Sequence, residues 1–245
     1  MRDPTAPDMG KHWNRLKRSL SRRWREWRLP PSYERLGTRY GGWWLDTQLV
    51  GPRPLLIDCG LGEDISFPTA FLKRFAGARV IGVDANPRSI AYCEKHRPPK
   101  MEIIFGAFWT HNGQTMTFHL PRTQDQLRQG ADGVSGSLDG SHEYVNGGEQ
   151  IEVSTVDLDA LLTHAGIAEC DVLKLDVEGA EYELLDALAR SGKIRAARQI
   201  LVEFHHGWTR RTLEDTRNVV EQLSVAGFQL AHTEGRNFIF RRRDT

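Results

Sequence analysis

The chain has 245 residues, of which 39% are hydrophobic and 27% charged, with a net charge of +1. That balance excludes a globally disordered chain, and no run approaches the roughly 18 apolar residues that a membrane-spanning helix needs. Thirty-three basic side chains against 32 acidic ones argue against a nucleic-acid partner, because chains dedicated to nucleic acid carry a clear basic excess. Cys59, Cys93 and Cys170 stand far apart. They offer neither a disulfide framework nor paired metal-ligand spacing, which reads as a reducing compartment and a cytoplasmic location.

From Lys11 to Arg28, Trp13, Leu16, Leu20, Trp24 and Trp27 recur at spacings of 3, 4, 4 and 3, one face of an amphipathic helix. The other faces are basic: residues 1–30 hold nine Arg or Lys against three Asp or Glu. No apolar core follows them as a signal peptide would require. Pro30-Pro31 ends the helix, since proline lacks the amide donor. The expected organisation is therefore a basic, Trp-rich helical extension over residues 1–31 and one domain over 32–245. The tryptophans read as docking on the parent domain or across a homodimer contact, in preference to lying on a membrane surface.

Further on, strands and helices alternate. Leu55-Leu56-Ile57 is a short apolar run leading into Asp58-Cys59-Gly60-Leu61-Gly62, a strand entering a glycine turn. A helix is expected from about Ser66 to Phe75, a second strand over 78–83 ending at Asp84, and a helix opened by Asn86-Pro87, with proline in the first turn. Met101 to Phe105 is a third strand. This succession predicts an α/β fold with a mostly parallel sheet. Residues 106–150 read as a β-hairpin excursion plus a long polar loop holding Gly130, Gly133, Gly136, Gly140, Gly147 and Gly148; such loops often belong to active sites. Asp157 caps a helix. Asp171 to Asp176 is a strand, Gly179 to Ala189 a helix, Gln199 to Phe204 a strand ending at His205-His206. Thr212 to Ala226 is helical, and residues 228–230 with 237–241 close the domain as an antiparallel hairpin.

Asp58, Gly60 and Gly62 stand where doubly wound folds bind ligands, at the carboxyl end of a strand. Asp84 follows Asp58 by 26 residues, placed to accept hydrogen bonds from both hydroxyls of a ribose. A dinucleotide site would hold its pyrophosphate at the following helix start, but Asp64 stands there and repels phosphate. The same carboxylate suits a phosphate-free, cationic ligand such as S-adenosylmethionine. This favours methyl transfer over nicotinamide chemistry.

Asp58-Cys59-Gly60-Leu61-Gly62, Val83-Asp84-Ala85-Asn86-Pro87, the block from Val172 to Glu181 (Val-Leu-Lys-Leu-Asp-Val-Glu-Gly-Ala-Glu) and Val202-Glu203-Phe204-His205 resemble the FkbM-type S-adenosylmethionine-dependent methyltransferases, over about residues 38–240. The resemblance implies a class I, Rossmann-like methyltransferase domain with a seven-stranded, mostly parallel sheet and a reversed terminal strand. It implies O-methylation of a hydroxyl on a sugar or a natural-product-like small molecule. Asp58, Gly60 and Gly62 would line the amino-acid end of the cofactor, Asp84 with Ala85 and Asn86 its ribose, and Gly106-Ala107-Phe108 its adenine. Gly62-Glu63-Asp64 departs from the family's usual Asn and later Gly after the turn.

Asp176 and Glu178 flank a strand end and belong to the same cofactor and acceptor region. Glu181 doubles as ordinary helix capping, and Lys174, inside an apolar strand, requires a carboxylate partner. His205 is the first choice to take the acceptor's proton, since imidazole titrates near neutrality; His111 and Asp176 compete for that role. Asp176, Glu178, Glu203 and His205 have donor atoms enough for a cation, but no close ligand spacing establishes a metal, and none is assigned. N-methylation of an amine or peptide and a non-catalytic cofactor-binding scaffold are the other functional readings.

Overall fold

The structure is a computed structural model that describes residues 29–122, 134–145 and 149–243. The Trp-rich helix expected near the N-terminus, and Gly130, Gly133, Gly147 and Gly148 of the expected loop, lie outside the described residues. Chain contacts divide the molecule into two units, Met1–Tyr33 and Glu34–Thr245. In the first, the Tyr33 amide donates to the Pro30 carbonyl. The site below lies wholly in the second. Among the described residues no helix is long and apolar enough to cross a membrane.

Two short strands, β1 (Tyr33–Leu36) and β2 (Trp43–Asp46), pair with each other ahead of the main sheet. The alternation then runs β3 (Leu55–Cys59), α1 (Ser66–Arg74), β4 (Arg79–Asp84), α2 (Pro87–His96) and β5 (Met101–Phe105). After a three-stranded excursion, β6 (Ala107–Phe108), β7 (Thr115–His119) and β8 (Gln150–Val156), come α3 (Leu158–Ala165), β9 (Cys170–Leu175), α4 (Glu181–Arg190), β10 (Ala197–Glu203), α5 (Leu213–Val225), β11 (Phe228–Glu234) and β12 (Asn237–Arg242). The central sheet has seven strands in the order β11-β12-β10-β9-β3-β4-β5. Strand β12 runs antiparallel to both of its neighbours, and β10, β9, β3, β4 and β5 are mutually parallel. This is the class I, Rossmann-like methyltransferase architecture.

Strands β3 and β9 are buried at every position, which is why they read as continuous apolar runs instead of alternating ones. Each fully buried Leu or Ile on them contributes roughly 1.5–3 kcal/mol by leaving water. Helices α3 to α5 cover one face through Leu161, Leu184, Leu185, Leu188 and Leu223, and the aromatic rings of Phe204, Phe228 and Phe240 join the same core. Local signals set the helix ends. Asn86 accepts from the Arg88 amide with Pro87 in the first turn, Asp157 accepts from the Ala160 amide, and Thr212 with Asp215 forms a reciprocal capping box.

Parallel register gathers the site. Cys59 lies opposite Val83 on one side and Leu175 on the other, Val202 opposite Leu175, and Asp84 opposite Phe105. The residues that follow these strand ends therefore emerge along a single edge. Strand β8 pairs parallel with β6 and antiparallel with β7, and His119 bridges to Ser137. That small sheet carries Ala107 and Phe108 to the same edge.

Candidate active site

The glycine turn after β3 is held from two sides. Gly60 has φ +83° and Gly62 φ +58°, backbone shapes that a side chain disfavours. A Cβ on Gly60 would overlap the Asp176 carbonyl oxygen, so only glycine lets the turn pass this close to the end of β9. The Asp84 carboxylate accepts from the Leu61 and Gly62 amides at 2.8 and 3.1 Å and from the Asn86 amide at 2.7 Å. Burial pushes its carboxyl up, against the lowering pull of those amides. Asp64 accepts from the Ser66 amide at 2.8 Å and the Thr38 hydroxyl at 2.6 Å. Burial alone would raise it, but these hydrogen bonds hold it below the usual carboxylate range.

Beneath the turn lies the carboxylate partner that Lys174 required. Its Nζ sits 3.0 Å from Asp58 Oδ1 and 3.8 Å from Asp176 Oδ2, and donates to the Gly60 carbonyl at 2.5 Å. Burial alone would lower the lysine; Asp58 and Asp176 outweigh it and hold it above its ordinary value. Asp58 is raised by burial, with Lys174 acting in opposition.

On the far side, three side chains converge. His205 Nε2 lies 3.1 Å from Glu178 Oε2 and 3.7 Å from Asp176 Oδ1, while Nδ1 lies 3.2 Å from Glu181 Oε1. Glu181 is fully buried and also accepts from the amides of His205 and Gly179, so its capping role and its role in the cluster are one. Burial alone would lower His205, but Glu178 and Glu181 raise it well above the ordinary imidazole value. Burial would raise Glu178; His205 and His142 outweigh it and bring it far below the carboxylate range. Burial pushes Asp176 up to about 7, with Lys174 opposing and Glu203 and Glu178 reinforcing the shift. Glu178 has φ +52°, the one positive value at a non-glycine among the described residues, a strain of about 1–2 kcal/mol.

These groups wall a cavity of about 1280 Å³. Single-ligand pockets span roughly 300–1,000 Å³, so there is room for a cofactor and an acceptor together. Of the residues picked from the sequence, Gly60, Gly62, Asp64, Asp84, Ala85, Gly106, Ala107, Phe108, Asp176, Glu178 and His205 line it. Three do not. Asp58 is buried against Lys174 and acts on the turn from below. Asn86 is buried, capping α2 and donating to the Val134 carbonyl at 2.8 Å. His111 is exposed outside the cavity, its Nδ1 2.9 Å from the Thr110 hydroxyl. His205 lines the wall with both ring nitrogens facing carboxylates, which leaves no free nitrogen to receive a substrate proton. The sequence reading missed the aromatic walls Trp43, Tyr144 and Trp208, and Arg236, whose guanidinium lies over the Trp208 ring and 3.2 Å from Glu203.

The model of the Methyltransferase FkbM domain matches residues 58–230, from the strand that opens the glycine turn to the first closing strand. The chain belongs to this family. Its residues 58–230 form a methyltransferase domain of that family, and the cavity fits S-adenosylmethionine: a bare turn at Gly60 admits close approach, and Asp64, Asp84, Asp176 and Glu178 suit a cationic sulfonium where a phosphate would be repelled. The FkbM chain is 28% identical over 145 residues to the 2-O-methyltransferase NoeI of Sinorhizobium fredii (strain NBRC 101917 / NGR234), a match covering 56% of this chain and 58% of NoeI. It thus spans little more than half of that relative. Among solved structures it is similar to the Methanococcus jannaschii fibrillarin pre-rRNA processing protein, at 12% identity and TM-score 0.43 over 80% of this chain and 70% of that one. It is also similar to Aeropyrum pernix fibrillarin in complex with S-adenosyl-L-methionine, at 12% identity and TM-score 0.42 over 89% and 84%. Neither likeness bears on what this chain methylates.

Proposed function

We propose that this methyltransferase O-methylates a hydroxyl of a saccharide or natural-product-like small molecule. The observation that carries the reading is the cluster of Asp176, Glu178 and His205 on the cavity wall next to the glycine turn. A hydroxyl attacking a methyl group must lose its proton, so it needs acceptor groups at that spot. An amine does not need so acidic a wall, because it can present its lone pair directly once neutral. The printed activity of NoeI, 2-O-methylation, supports the same reading, as do Trp43, Tyr144 and Trp208, whose ring faces and edges suit an amphipathic acceptor.

In this account Gly60, Gly62 and Asp64 receive the amino-acid end of the cofactor, Asp84 and Ala85 its ribose, and Gly106, Ala107 and Phe108 its adenine. S-adenosylmethionine supplies a methyl group already activated on sulfur. The chain's own task is alignment and proton removal. Asp176 is the most open member of the cluster, 29% exposed against 19% for Glu178 and 4% for His205; its carboxylate meets the hydroxyl. His205 and Glu181 hold Glu178 and the turn before α4 in place.

The test is methyl transfer from labelled cofactor to panels of hydroxyl and amine acceptors, with wild type and Asp176→Asn. Transfer to oxygen is expected, and Asp176→Asn is expected to lower turnover about 10²–10⁴-fold while S-adenosylhomocysteine affinity changes less than about tenfold. Transfer only to nitrogen, or an unchanged turnover in the variant, would overturn the reading.

A further inference from the structure

The carboxylates around His205 outnumber the cationic side chains paired with them. Lys174 is committed to Asp58 at 3.0 Å and Arg236 to Glu203 at 3.2 Å. Asp176 has Lys174 only at 3.8 Å, and Glu178 and Glu181 face the two histidines, His205 and His142. His142 is fully buried, and its Nε2 lies 3.0 Å from Glu178 Oε2 yet has no hydrogen-bond partner. A buried polar atom aimed at a carboxylate without bonding it is costly. So is the left-handed backbone of Glu178, whose carbonyl accepts from the buried Ser137 hydroxyl at 2.5 Å.

Geometry says what such an arrangement can hold. One ligand atom each from Asp176, Glu178 and His205 lies within 4.8 Å of the others. Bonds of about 2.1 Å in an octahedron place adjacent donors about 3.0 Å apart and opposite donors about 4.2 Å apart. The His205 Nε2 to Glu178 Oε2 separation is 3.1 Å, and to Asp176 Oδ1 3.7 Å, both inside that span, so rotation of the two carboxylates would bring the three donors around a common ion. The other imidazole nitrogen is already supported: Nδ1 faces Glu181 Oε1, a carboxylate–histidine pairing that orients the ring, and a bound ion would take the place of the Nε2 proton that faces Glu178. The Tyr144 amide donates to His142 Nδ1 at 3.3 Å, which leaves the proton on Nε2, 3.0 Å from Glu178 Oε2 without a hydrogen bond in this geometry.

We propose that Asp176, Glu178 and His205 form a divalent-cation site, positioned by Glu181 and His142. Two carboxylates, one imidazole and open positions toward the cavity match an octahedral ion of the Mn²⁺ type better than the closed tetrahedron of structural zinc. The open positions face the acceptor space. There, resting on the O-methylation reading above, the ion would lower the pKa of the bound hydroxyl, and the Asp176 carboxylate would take the departing proton.

The test is a titration of the full-length, chelator-treated protein with Mn²⁺ alone, followed by calorimetry and by the loss of the free-ion electron paramagnetic resonance signal. Neither cofactor nor acceptor is present, so the outcome is independent of what is methylated. One ion per chain is expected. Glu178→Gln, which keeps shape and removes charge, and His205→Gln should each weaken binding at least about 100-fold, beyond the 10–100-fold cost of removing an outer partner; His142→Ala should fall within that lesser range. Glu63→Gln, elsewhere on the cavity rim, should bind as wild type. Circular dichroism checks that each variant is folded. No binding by wild type, or binding that folded Glu178→Gln retains in full, would overturn the site.

Discussion

Replacing Lys174 by methionine removes the cation that lies beneath the glycine turn, and little volume. Lys174 and Asp58 are 5% and 1% exposed and 3.0 Å apart. In Lys174→Met the Asp58 carboxylate stays buried without its counter-charge, and the Gly60 carbonyl loses its donor. Breaking a buried pair from one side costs about 3–5 kcal/mol, and leaving a carbonyl unsatisfied contributes about 1–3 kcal/mol. The two losses share one side chain and do not add, so about 3–5 kcal/mol is expected overall, two to four decades in the unfolding constant. Urea unfolding followed by circular dichroism measures it as a lower midpoint at unchanged slope. Replacing both partners, Asp58→Leu with Lys174→Met, removes the stranded charge, and most of the lost stability should return. Because Gly60 forms the cofactor turn, the single variant should also bind S-adenosylhomocysteine more weakly. A Lys174→Met protein within 1 kcal/mol of wild type would refute the claim that this pair holds the turn, as would a double variant no more stable than the single.

Asp84→Ala removes the acceptor of three backbone amides and a wall of the cavity, and calorimetry should show S-adenosylhomocysteine binding weaker by about 2–5 kcal/mol in a folded protein. His111→Ala, at an exposed position outside the cavity, should leave turnover and cofactor affinity within about twofold of wild type in the labelled-methyl assay. Thr212→Ala breaks the capping box of α5 and should lower stability by about 0.5–2 kcal/mol in urea titration, with no change in cofactor affinity.

The central sheet was legible in the sequence because its inner parallel strands are largely buried on both faces and so appear as short apolar runs, each closed by an acid or a glycine. The site was legible where parallel register brings those closures to one edge: Gly60, Asp84, Gly106, Asp176 and His205 all follow strand ends. Roles that depend on side-chain direction were not. Asp58 and Asp84 stand alike in the pattern, at the ends of neighbouring strands, but Asp58 turns down to Lys174 and Asp84 up to the turn. His205 looked like a free base until Glu178 and Glu181 were seen on its two nitrogens. His142, Trp208 and Arg236 come from three separate connections, without periodicity or spacing to tie them together. His111 sat beside a strand end too, but the chain passes it outward to join β7.

The most direct measurement is a crystal structure of the protein with S-adenosylhomocysteine bound. The account predicts the amino-acid end of the ligand over Gly60 and Gly62, the ribose hydroxyls on Asp84, the adenine against Gly106, Ala107 and Phe108, and sulfur facing the space beside Asp176, Glu178 and His205. Ligand density elsewhere on the chain, or with the sulfur turned away from those three side chains, would contradict it.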